Sequence, residues 1–281
     1  MMLTSVHNER VRAAAALARR DARSKTGRFL LEGPQAVEEA LGCRPDLLVE
    51  AFVGPSPTPR IRRLAEGIAT AGARVESVGD AVLRAIADAR HPQGIVAVAR
   101  QHPAAVERMF EGAPVLVALL ARVADPGNAG AVLRVADAAG ADGVVLTRGS
   151  VDPFNPKVVR ATTGSLFHVP FAVGADLAES TALARRAGMT VLAADVSGAE
   201  LDPADAAGML AGPVCWVFGN EAHGLEDDDL ALADHVVRLP IYGRAESLNL
   251  ATAASVLLYQ TAFRQRRALA RRAAAAPGTG R

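Results

Sequence analysis

The stretch Leu239–Tyr259, LPIYGRAESLNLATAASVLLY, restricts the possible folds more than any other part of the chain. It opens on a short apolar segment ending at Pro240, crosses a polar, glycine-containing loop from Tyr242 to Glu246, and enters a helix at Ser247. Ser247 suits an N-cap, because its hydroxyl can accept an otherwise orphan first-turn N–H. From Leu248 the helix is apolar on nearly every face (Leu250, Ala251, Ala253, Ala254, Val256, Leu257, Leu258). A helix apolar all round is normally buried, so this one is expected inside a domain. Ser247 and Asn249 at its start then need partners, since burying either unpaired costs about 1–3 kcal/mol. On this stretch alone, a capped core helix and a functional loop stand equally open.

Val115 to Leu120 is a near-continuous apolar run, as expected of a parallel strand covered on both faces. Asp125-Pro126-Gly127-Asn128 reads as a turn, followed by a helix from about Ala129 to Ala139 and a strand from Gly143 to Thr147. Further strands are expected at Thr190 to Ala194, ending at Asp195, and at Val214 to Phe218, ending at Gly219-Asn220-Glu221. Gly219 would let backbone approach a ligand closely. The layout is α/β and brings a dinucleotide-binding fold to mind. However, Gly127-Asn-Ala-Gly130 lacks the G-x-G-x-x-G spacing, and no acidic residue follows at the expected distance. Arg134 stands mid-helix among apolar neighbours Val132, Leu133, Val135 and Ala136.

The N-terminal third reads as a small alternating α/β unit. Arg10 to Arg28 is expected as a basic helix ended by Gly27, then a strand at Phe29 to Leu31, a turn at Gly33-Pro34 and a helix from Gln35. Strands near Leu47 to Val53, Arg74 to Ser77 and Ile95 to Ala99 alternate with helices at Arg60 to Ala71 and Asp80 to Asp88. A proline-bearing polar stretch from Gln101 to Gly112 marks the domain boundary. Charge is uneven along the chain. Residues 1–30 hold seven basic and two acidic side chains, and residues 260–281 six arginines and no acid, in a chain whose net charge is only +1. Such basic ends on an acidic middle mean either RNA-contacting arms or solvated tails. No apolar run approaches the ~18 residues of a membrane span, and the N-terminus lacks a secretory pattern, so a cytoplasmic protein is expected. Cys43 and Cys215 match no metal or redox spacing and are expected as buried apolar fillers, with no metal.

Three stretches together carry a resemblance: ARVADPGNAGAVLRVADAAGADGVVL (Ala121 to Leu146), CWVFGNEAHGL (Cys215 to Leu225) and Leu239–Tyr259. In this order and spacing they resemble the signature of the SpoU/TrmH RNA 2′-O-ribose methyltransferases of the SPOUT class, over roughly residues 112–265. KTGRFLLEG followed by HPQGIVAVA resembles the substrate-binding domain attached to many members, which is similar to a ribosomal-protein RNA-binding fold. The resemblance implies an α/β trefoil-knot methyltransferase domain over residues 109–268, preceded by a small α/β RNA-binding domain over 1–108. A basic, disordered tail is expected over 269–281. It further implies S-adenosylmethionine held in the knot loops at Gly219, Asn220, Ile241 and Leu248, with the strand end at Ala194 added.

By the same resemblance Arg134 matches the catalytic arginine, Asn128 the motif-one asparagine and Glu221 the motif-two glutamate, with Ser247 and Asn249 in motif three; His223 is incidental. Arginine stays protonated in proteins, so a plain general-base role is awkward. A cation orienting the ribose and stabilising developing 2′-alkoxide charge suits it better. Arg23, Lys25 and Arg28, beside Glu32, and Lys157 and Arg160 in the loop Ser150 to Phe171 are the RNA candidates, their role confined to phosphate attraction. A homodimer is implied, with RNA at one subunit's site contacted by the other. The expected activity is methylation of ribosomal RNA, the large subunit favoured, with transfer RNA as the other substrate. The competing reading is a non-catalytic RNA-binding or ribosome-assembly protein that retains the fold. The intact motif residues favour the enzyme.

Overall fold

The structure, a computed structural model, describes residues 2–201 and 206–275. After two helices, α1 (Glu9–Ala16) and α2 (Arg20–Thr26), its elements alternate: β1 (Arg28–Glu32), α3 (Pro34–Cys43), β2 (Leu48–Val53), α4 (Pro59–Thr70), β3 (Arg74–Ser77), α5 (Asp80–Ile86) and β4 (Ile95–Arg100). There follow β5 (Leu116–Leu120), α6 (Pro126–Ala139), β6 (Gly143–Thr147), α7 (Pro156–Thr162), β7 (Phe171–Ala175), α8 (Leu177–Arg186) and β8 (Thr190–Glu200). The last elements are α9 (Ala206–Met209), β9 (Val214–Phe218), α10 (Asp227–Leu230), β10 (His235–Arg238) and α11 (Leu250–Ala275). They make two compact units. One is the chain up to Pro103 together with Asp152–His168; the other is Ala104–Val151 with the chain from Val169 onward. The domain split expected at 108/109 divides the chain once, whereas these units interleave, Asp152–His168 joining the first. Of the expected tail, the portion up to Ala275 is helical rather than disordered, and 276–281 lie outside the described residues.

The first unit is a four-stranded sheet in the order β1-β4-β2-β3. β4 pairs antiparallel with β1 and β2, and β2 pairs parallel with β3. Val11, Ala14 and Leu17 join Val82, Leu83 and Ile86 over Leu30, Phe52, Val96 and Val98 to make its core. The expected single basic helix is two short ones, the second closed by Gly27 in the left-handed region at φ 63°, where glycine carries no Cβ penalty. Arg23, expected to face RNA, is 2% exposed. Its Nε donates to Asp152 Oδ2 at 2.8 Å, and its NH1 group donates to the carbonyls of Leu17 and Ala18.

The Asp152–His168 segment also brings Phe154 and Phe167 against Phe29 and His102, whose ring stacks on Phe167 at 5.4 Å. Burial pushes the His102 imidazole below its ordinary pKa of 6.5. The unfolded chain therefore takes up the proton first as the pH falls, and stability is lost downward from about pH 6.5. Urea midpoints compared on either side of pH ~6.5 should fall in wild type and fall less in His102→Gln, which keeps a donor for the Leu166 carbonyl but does not titrate. Identical pH dependence in the two would remove His102 as the cause.

In the second unit, six parallel strands lie in the order β10-β8-β9-β5-β6-β7. β5, β6 and β9 are buried at every position, which is why they read as unbroken apolar runs. β8 is longer than expected, continuing past Asp195 to Glu200 alongside β10, with a register break between Val236 and Val237. α11 packs on α6 and on the sheet. Its buried polar groups are satisfied: Trp216 Nε1 donates to Thr261 Oγ1 at 2.9 Å, and Gln265 Nε2 donates to the carbonyls of Val115 and Gly212. The helix is not buried all round, for Val256 and Phe263 are 38% and 53% exposed. Cys215 is fully buried, and burial pushes its thiol pKa up; Cys43, expected as a second filler, is exposed instead.

Candidate active site

A cleft of about 960 Å³ opens at the carboxyl ends of β8, β9 and β10, where open α/β sheets place their ligands. Of the ten residues singled out in this unit, eight line it: Ala194, Gly219, Asn220, Glu221, Ile241, Ser247, Leu248 and Asn249. The other two are on α6. Asn128 sits in the first turn. Arg134 is exposed further along, with no hydrogen bond or ion pair among the described residues.

Hydrogen bonds join the three motifs. Asp125 caps α6, its Oδ1 accepting from Asn128 N at 2.7 Å, so what read as a turn is a capped helix start with Pro126 at the first position. Glu221 accepts from the backbone N–H groups of Ala124 and Asp125 and from Asn128 Nδ2, each at 3.1 Å. Asn249 Nδ2 donates to Asn128 Oδ1 at 3.0 Å, completing a line Glu221–Asn128–Asn249. Asn249 Oδ1 meanwhile accepts from Ala251 N and Thr252 N, so Asn249, not Ser247, caps α11. The difference is one of start: the helix begins at Leu250, and Ser247 stays in the exposed loop before it.

The loop after β9 is held by its own groups. Asn220 Nδ2 donates to the Arg122 carbonyl at 2.7 Å, while its Oδ1 accepts from Ala222 N and His223 N. Asn220 and Gly224 exchange backbone bonds. This brings Gly224 against Gly219, where a Cβ would meet the Gly224 carbonyl carbon at 2.5 Å. Gly219 is thus needed for the approach of the chain's own backbone. Gly219→Ala should cost about 1–3 kcal/mol by forcing the two segments apart, and should weaken ligand binding in the cleft more than tenfold. Calorimetric titration alongside a melting curve checks this; unchanged affinity would dissociate Gly219 from the cleft's shape.

The cleft is acidic. Asp195, Glu200, Glu221, Asp227 and Glu246 line it, against Arg238, which pairs with Glu200 at 3.6 Å. Sequence reasoning passed over Arg122, in a left-handed conformation (φ 53°) and ion-paired with Asp229 of α10. That bond holds its guanidinium charged, above the ordinary value. Only the carbonyl it offers to Asn220 marks it as part of the site, and no sequence pattern signals that.

The five cations expected on RNA all lie in the first unit. Lys25, Arg28 and Lys157 are exposed, and no side-chain bond ties them to described residues. Arg160 is committed to Glu32 at 3.2 Å and Asp88 at 2.8 Å, and Arg23 is buried on Asp152. Glu32 does not face solvent either, since it also accepts from Asp88 N and Ala89 N. Burial thus withdraws Arg23 and Glu32 from solvent, while Arg160, about a third exposed, is engaged in two ion pairs.

Residues 115–259 match the SpoU rRNA Methylase family, and residues 8–97 the MRM3-like substrate binding domain. The chain is 33% identical over 258 residues to a 23S rRNA (guanosine(2553)-2′-O)-methyltransferase of Bacillus subtilis, covering 92% of this chain and 97% of that protein. Among solved structures it is similar to the AdoMet-bound rRNA methyltransferase from Sinorhizobium meliloti, with a TM-score of 0.79 and 31% identity over 93% of this chain and 97% of that one. The SpoU methyltransferase AviRb from Streptomyces viridochromogenes, in complex with AdoMet, gives a TM-score of 0.80 and 29% identity over 92% of this chain and 99% of that one.

Proposed function

Because this chain belongs to the SpoU rRNA methylase family, we infer that it transfers a methyl group from S-adenosylmethionine to a ribose 2′-hydroxyl of RNA, ribosomal RNA of the large subunit being the substrate. The observation that carries the reading is the hydrogen-bonded line Glu221–Asn128–Asn249 beside the acidic cleft. All five residues assigned to catalysis are present, so no loss favours a non-catalytic RNA-binding protein.

The cleft fits the cofactor on three counts. Its volume lies at the upper end of ligand sites; Leu225, Ile241, Leu248 and Leu257 give it apolar walls; and its carboxylates suit a sulfonium cation. Gly219, Asn220, Ile241 and Leu248, with the strand end at Ala194, would hold it. When bound, S-adenosylmethionine supplies a methyl group already activated for transfer. Asn128, Glu221 and Asn249 keep the three loops in register, and Ser247 stands exposed at the mouth. Arg134 orients the ribose and stabilises charge developing on the 2′-oxygen.

A trefoil knot is consistent with β9 lying between β5 and β8 and with α11 returning to pack on α6. A homodimer is supported by the exposed apolar Val256 and Phe263 of α11. RNA contact by the first unit, 1–108 in the sequence reading, is supported by exposed Lys25, Arg28 and Lys157 and by the match to a substrate binding domain. A ribosomal-protein likeness and a cytoplasmic location complete the proposal; among the described residues no helix is long and apolar enough to cross a membrane. The test is transfer of label from S-adenosylmethionine to 23S rRNA, followed by mapping of ribose methylation. Label on a base, or none on RNA, would overturn the reading.

A further inference from the structure

Away from the cleft, three side chains of different chemistry converge in the first unit. Glu39 and Cys43 stand on α3, and His168 ends the Asp152–His168 segment. One ligand atom from each lies within 4.8 Å of the others. The i, i+4 spacing puts Glu39 and Cys43 on one helix face. Glu39 is fixed: its Oε1 accepts from Gln35 Nε2 at 2.7 Å, and its Oε2 faces His168 Nε2 at 3.2 Å. Gly164 makes the approach possible. Its φ is +105°, and a Cβ there would meet Glu39 Cγ at 2.3 Å, so only glycine lets the segment bearing His168 settle on α3.

We propose that Glu39, Cys43 and His168 form a zinc site. Thiolate, imidazole and carboxylate are the donors zinc takes, whereas magnesium and calcium prefer an all-oxygen set. The side chains are half-buried or exposed, which leaves a fourth position to water. The amide of Gln35 orients the carboxylate as an outer partner does in metal sites. A bound ion would tie the end of the Asp152–His168 segment to α3. Spacing could not reveal this, because the histidine comes from a segment far along the chain.

The test uses the full-length, tag-free protein and zinc chloride. Cys215 is fully buried, so iodoacetamide applied to folded protein reads Cys43 alone. The thiolate is the reactive form and is the form a metal captures. Zinc in modest excess should slow alkylation at least about tenfold, and native mass spectrometry should find one ion per chain. His168→Ala and Glu39→Gln, both at partly exposed positions, should keep the melting temperature of the zinc-free protein and lose the protection. Unslowed alkylation in wild type, or equal slowing in both variants, would overturn the site.

Discussion

Arg134→Lys is expected to lose turnover almost as completely as Arg134→Ala, by about 10²–10³-fold, or roughly 3–4 kcal/mol of transition-state stabilisation. Lysine keeps the charge but not the planar fork that reaches two oxygens at once. The position is exposed on α6 and makes no polar bond to described residues, so neither change breaks a native hydrogen bond or ion pair. Stability should stay within about 0.5 kcal/mol of wild type. Affinity for S-adenosylmethionine should change little, because the proposed contact is with ribose. Turnover, cofactor affinity and melting temperature measured on the same samples separate these effects. Near-normal turnover in folded Arg134→Ala protein would remove Arg134 from the mechanism.

Asp152→Ala should be the most destabilising single change among the charged residues, costing about 3–5 kcal/mol. Its partner Arg23 is 2% exposed and gives Asp152 two of its nitrogens, at 2.8 and 2.7 Å. Removing the carboxylate leaves a guanidinium out of water with only the carbonyls of Leu17 and Ala18. Taking away both charges should cost much less than taking away one, since the penalty is the stranded charge. Urea unfolding of Asp152→Ala, Arg23→Met and the double variant tests this. Additive losses would mean that the pair is not coupled.

What was legible in the sequence follows from period and proximity. Strands buried on both faces are unbroken apolar runs, so β5, β6 and β9 were readable within a residue. The motif residues could be grouped because loops at strand ends meet at one edge of a parallel sheet. The cap of α11 lies two residues beyond Ser247: serine and asparagine cap about equally well, and only the bonds from Ala251 N and Thr252 N to Asn249 Oδ1 show which is used. Charge pattern could not tell a buried arginine from a solvated one. Arg23 and Lys25 look alike in sequence, and what separates them is an aspartate 129 residues away. For the same reason the return of Asp152–His168 to the first unit was invisible, and removal of residues 1–105 would strip that segment of its packing partners.

The line Glu221–Asn128–Asn249 also has a consequence in time. Its closing bond spans 121 residues and waits on the docking of the last helix. Parallel sheets with such distant pairings fold slowly, so the site assembles only after Asn249 and α11 have been made. On refolding, activity should therefore return with the slowest phase, later than the bulk of the helical signal. Competence is thus expected to follow the seating of α11 on α6 and the sheet.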